Sequence, residues 1–114
     1  MDFSEYQEMA VSTAKYKDDD QALDCVIAGL MGELGELMEV WKKFRREDDV
    51  KAGMSVLDAF RKFKARTTHE AGDILWYLAV YLYIFDIDMD KAAMLNLNRL
   101  RKRLEDGVLH ASWI

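Results

Sequence analysis

The chain has 114 residues, 51% of them apolar, with 16 basic side chains against 21 acidic ones and a net charge of −5. That length suits one domain spanning residues 1–114 with its own core, and the acidic balance argues against stable binding to nucleic acid. The single Cys25 excludes an internal disulfide framework. With an N-terminus, MDFSEYQEMA, that has no signal-like apolar stretch, it predicts a cytoplasmic protein.

Proline is absent, which favours an all-helical fold. The first helix is expected over residues 2–16, with Phe3, Tyr6, Met9, Ala10 and Thr13 on one side. The acidic run Asp18-Asp19-Asp20 separates it from a second helix over residues 21–46, with Asp20 placed to cap it. Ile27, Leu30, Leu34, Leu37, Trp41 and Phe44 there alternate in threes and fours, the pattern of a packed seam, with Glu33 and Glu36 beside it. Residues 47–53 read as a loop.

Ser55 followed by Asp58 marks the start of a third helix over residues 55–85, with Thr67 and Thr68 as a weak point. Its second half, ILWYLAVYLYIF, is apolar on every face. About twelve residues cannot span a bilayer, so this predicts a core helix that also mediates dimerisation and no membrane association. A fourth helix over residues 89–105 carries Ala92, Leu95, Leu97, Leu100 and Leu104 and stops before Gly107. The expected subunit is an antiparallel, four-helix bundle-like all-α fold.

Two acidic signatures stand out. Glu33-x-x-Glu36 and Glu70-x-x-Asp73 each put two carboxylates about 60° apart on one helix side, next to apolar sequence. Either pair alone reads first as a solvated face. Together they suggest oxygen ligands for a hard divalent cation, Mg²⁺ or Mn²⁺. Neither histidine, His69 or His110, follows a glutamate by three residues, which disfavours a di-iron centre. Gly32, Gly35, Ala71 and Gly72 are interleaved with the acids, suggesting close approach of a backbone or ligand. Near the C-terminus Arg99, Lys102 and Arg103 share one helical side. They read either as charge complementing the helix end or as a clamp for phosphates. No Gly-rich phosphate loop and no Ser/His/Asp or Cys/His set is present.

In order, the blocks YQEMAVSTAKY, GLMGELGELMEVWKK, EAGDILWYLAVYL and NLNRLRKRLEDG resemble the MazG-like nucleotide pyrophosphohydrolases, the all-α NTP pyrophosphatases, over nearly the whole chain. The resemblance implies helical bundles assembled as homodimers or homotetramers. It also implies Mg²⁺-dependent hydrolysis of nucleoside triphosphates to monophosphate and pyrophosphate. The family hallmark is Glu-Glu-x-x-Glu followed by Glu-x-x-Asp. Carried over, it makes Glu33, Glu36, Glu70 and Asp73 metal ligands, with Gly32 standing where the first acid belongs. Glu36 and Glu39 are then the candidate general bases. Arg99, Lys102 and Arg103 would hold the outer phosphates, and Asn96 the sugar or base. A non-catalytic helical module of the same fold is the alternative.

Overall fold

The computed structural model describes residues 1–107, where all regular structure is helical: α1 (Phe3–Ser12), α2 (Asp19–Arg45), α3 (Asp48–Lys51), α4 (Val56–Ile84) and α5 (Met89–Glu105). No helix among these residues is long and apolar enough to cross a membrane.

The helix starts follow from side-chain capping of otherwise unpaired N–H groups. Asp2 accepts from Glu5 N, Asp18 from Gln21 N, Ser55 (through Oγ) from Asp58 N, and Asp88 from Asp90 N and Lys91 N. The cap of α2 is therefore Asp18, two residues before the expected Asp20. Helix α1 stops short of residue 16 because Thr13 folds back: both its N–H and its hydroxyl donate to the Ala10 carbonyl. Helix α4 runs unbroken through Thr67 and Thr68, and the Thr68 hydroxyl donates to Lys64 O one turn earlier. Within the expected loop 47–53 sits the single turn of α3, entered through left-handed Glu47 and left through Gly53 at φ 106°.

The two long helices α2 and α4 lie antiparallel and make the most extensive contact of the fold. The α2 seam is formed by Ala22, Val26, Val40 and the half-buried Leu30, Leu37 and Phe44; Ala59, Phe63, Tyr77 and Val80 face it from α4. This is not the whole stripe read from the sequence. Ile27, Leu34 and Trp41 are each nearly half exposed, whereas Val26 is fully buried. Helix α2 carries two apolar stripes at three-four spacing, and the one with smaller side chains meets α4. A reason is visible at Gly29: a Cβ there would lie 2.3 Å from the Tyr77 ring, so the ring occupies the space that a larger side chain would need.

Helix α1 crosses α4, and α5 touches both α1 and α4, but neither α1 nor α5 contacts α2. Ala10, Ala79 and Met89 form a small core there, flanked by Tyr6, Trp76 and Leu82. Buried Gln7 locks it: its amide donates to Ala79 O and Ile87 O, and its carbonyl accepts from Met89 N. The Trp76 indole donates to Thr13 Oγ1 at 2.8 Å.

The resulting molecule is flat and open. Its radius of gyration is 17.8 Å, against about 13 Å for a compact chain of this length. Its accessible surface of 8654 Å² exceeds the roughly 6,500 Å² expected of a monomer of this mass. Much of the excess is apolar. Ile27, Met31, Leu34, Met38 and Trp41 form a bare stripe along α2, and Phe60 on α4 is also exposed.

Candidate metal centre

At the middle of the α2–α4 seam the apolar lining is interrupted. Glu33 occupies a position that faces α4, where Glu70 and Asp73, three residues apart, both turn toward it. One carboxylate oxygen from each of the three lies within 4.8 Å of the others, and all three residues are half-buried. Oε2 of Glu33 and Oε2 of Glu70 are buried with no hydrogen-bond partner, as is Thr67 Oγ1 one turn before Glu70.

Three negative charges so placed oppose one another. The Glu33 carboxyl is pushed up from 4.5 to about 7. The hydrogen bond it can make with Glu70 when protonated is the largest cause; desolvation and the charges of Glu36, Asp73 and Glu70 follow. A cation removes the same repulsion without a proton. The donor set is all carboxylate, hard and oxygen-only, so it fits Mg²⁺ or Mn²⁺ and not a thiolate- or imidazole-preferring ion. The orphaned oxygens of Glu33 and Glu70 are the atoms available to such an ion.

Glu36, the fourth expected ligand, is exposed one turn along α2. It lies close enough to act on Glu33 by charge. With Glu39, Val40, Lys43, Arg66 and Glu70 it lines an open cavity of about 360 Å³ that adjoins the acids. Glu39 is drawn aside by Lys42, 3.2 Å away, and that bond and charge hold its carboxyl below the usual range. Of the two candidate bases, Glu36 is therefore the one with a carboxylate not committed to a cation.

Other expectations divide. Asn96, Arg99, Lys102 and Arg103 lie on α5, which has no contact with α2, so one chain does not bring them to the acids; the cavity beside the acids is lined without them. A Cβ on Gly32, Gly35 or Gly72 would meet nothing within 4 Å among the described residues, so no backbone there closes on these glycines. His110 lies outside the described residues. His69 is exposed, but its Nε2 lies 3.4 Å from Asp73 Oδ2, and its four-residue offset from Asp73 was the available signal. Tyr6, brought in by α1, also borders the centre: burial and then the Asp73 charge raise its phenol. Nothing in the sequence linked Tyr6 to the acids, because that contact depends on how α1 crosses α4.

The chain is 32% identical over 112 residues to the "Gene 37 protein" of Mycobacterium phage L5, which covers 94% of this chain and 92% of that protein. The chain belongs to the Gene 37 family. No family model matches it, and no solved structure does. The name Gene 37 carries no chemistry, so a functional reading of this family member rests on the geometry of its acids.

Proposed function

We propose that the chain is a Mg²⁺-dependent nucleoside triphosphate pyrophosphohydrolase of MazG-like type, converting (d)NTP to (d)NMP and pyrophosphate, as in nucleotide-pool house-cleaning. The observation that carries this is the convergence of Glu33, Glu70 and Asp73 in a seam where two of their oxygens are buried and unpartnered. Unneutralised carboxylates in such a place are costly, and a divalent ion removes the cost. Bound there, Mg²⁺ would neutralise phosphate oxygens and increase the acidity of the attacking water.

In this reading Glu33, Glu70 and Asp73 would hold the ion, and the ion would draw the α-phosphate to the α2–α4 seam beside Glu36. Glu36 accepts the proton of the water that attacks the α-phosphorus, and pyrophosphate leaves. Asn96, Arg99, Lys102 and Arg103 contribute to substrate binding only if a second subunit presents its α5 to this cleft. The bare α2 stripe supports assembly as a homodimer or homotetramer. Ile27, Met31, Leu34, Met38 and Trp41 repeat at four-three-four-three spacing and are each about half exposed or more, Trp41 also touching α4 through Phe63. The surface in excess of a compact monomer is more than the ~800 Å² per partner that a stable interface buries. The second half of α4 offers a further face: α1 and α5 cover Ala79, Trp76 and Leu82, while Leu75, Leu78, Tyr83 and Phe85 stay exposed. A cytoplasmic site of action agrees with the single reduced cysteine and the nucleotide substrate.

The test is product identity. Incubation with Mg²⁺ and a panel of canonical and deoxynucleoside triphosphates is expected to yield monophosphate and pyrophosphate. Glu70→Gln and Asp73→Asn are expected to abolish turnover with helix content unchanged; full activity in both variants would refute the centre as drawn. The second reading, a non-catalytic helical module, draws on Gly32 in place of the hallmark acid, and failure of the wild-type chain to bind Mg²⁺ would favour it.

A further inference from the structure

Lys43 and Arg66 face the same cavity from opposite helices, and neither makes an ion pair among the described residues. Their neighbours differ. Lys42 is held by Glu39, Arg46 by Asp48 and Lys62 by Asp49. Lys43 and Arg66 are thus the two basic side chains that line the space beside the acids, and neither is held in an ion pair there. The same pair lines a second cavity of about 180 Å³ farther along the seam, together with Lys62, Phe44, Phe63 and the carboxylates of Asp48 and Asp49, which are engaged by Arg46 and Lys62. Arg66 precedes Glu70 by four residues, about 6 Å along α4, and Lys43 follows Glu36 by seven, about 10 Å along α2, so both cations lie on the α3 side of the acids.

We propose that Lys43 and Arg66 form a polyphosphate subsite that takes the phosphates distal to the scissile bond, so that the substrate's phosphate chain runs along the α2–α4 seam from the carboxylates toward α3. This rests on the metal-centre reading and adds a direction to it. A guanidinium offers two parallel donors to a phosphate and an ammonium offers a mobile point charge, a pairing suited to adjacent phosphate groups. The subsite also supplies, within one chain, the cationic partner that α5 does not bring to the acids.

The test is calorimetric titration of the full chain with inorganic tripolyphosphate, with and without Mg²⁺, beside titration with Mg²⁺ alone. Lys43→Ala and Arg66→Ala are each expected to weaken tripolyphosphate binding about tenfold or more, and Arg66→Lys to recover part of the loss. Both alanine variants should bind Mg²⁺ alone as the wild type does. Unchanged tripolyphosphate affinity in both variants overturns the subsite while leaving the carboxylate centre standing. A wild-type chain that binds tripolyphosphate neither with nor without Mg²⁺ also overturns it. Binding that ignores Mg²⁺ yet falls in Lys43→Ala keeps the subsite and refutes the metal reading instead.

Discussion

Glu33 on α2 and Glu70 on α4 meet across the seam of the two longest helices, each with its Oε2 buried and without a hydrogen-bond partner. An apolar pair of the same size would pack there at no electrostatic cost. Retaining two carboxylates, with Asp73 as a third, makes sense where the pair holds something positive.

A pH dependence follows. Glu33 titrates near 7 in the folded chain against 4.5 as its ordinary value. Between those two pH values the folded state binds the proton and the unfolded state does not, so stability falls as pH rises through the window and levels off above it. The metal-free chain should therefore melt at a higher temperature near pH 5 than near pH 8. Mg²⁺ should raise the melting temperature at the higher pH and have little effect at the lower. Glu33→Gln should flatten both responses, as scanning calorimetry would show.

Much of this was legible in the residues. All four long helices and the acids Glu33, Glu70 and Asp73 follow from caps, periodicity and spacing. What the pattern left ambiguous was rotation. Val26 and Val40 point inward while Ile27 and Trp41 point out, yet both stripes have the same period, and only the shape of the opposing helix decides between them. The cations beside the acids were hidden for a related reason. Lys43 and Arg66 are 23 residues apart in the chain, and only the antiparallel pairing puts them in one cavity.

Gln7 tests the other half of the fold. Its amide and carbonyl bond three backbone groups, at Ala79 and Met89 in buried positions and at Ile87 in a partly buried one. Gln7→Leu fills the space but leaves those groups unpaired. It should cost about 1–3 kcal/mol in denaturant unfolding, with the effect centred on α1 and α5 and the α2–α4 seam less affected.

The bare stripe on α2 gives an assembly prediction. The wild-type chain should sediment as a dimer or tetramer of the 13.3 kDa subunit. Leu34→Glu combined with Met38→Glu should give a monomer with its helical circular dichroism retained, since neither side chain is part of the subunit's own core.

Gly32 offers a gain-of-function check. A Cβ there meets nothing within 4 Å, so a larger residue is accommodated and helix propensity alone favours it by about 1 kcal/mol. Gly32→Glu places an acid one turn from Glu36. It should tighten Mg²⁺ binding without loss of thermal stability, read by calorimetry and melting.

The most direct test of the central claim, that Glu33, Glu70 and Asp73 together grip a divalent cation, is titration of the full chain with Mg²⁺ near pH 7 in buffers of different ionisation enthalpy. The account predicts saturable binding that releases about half a proton per ion from Glu33, weakened at least about tenfold in Glu70→Gln. Equal Mg²⁺ affinity in wild type and Glu70→Gln, or no proton release, would contradict it.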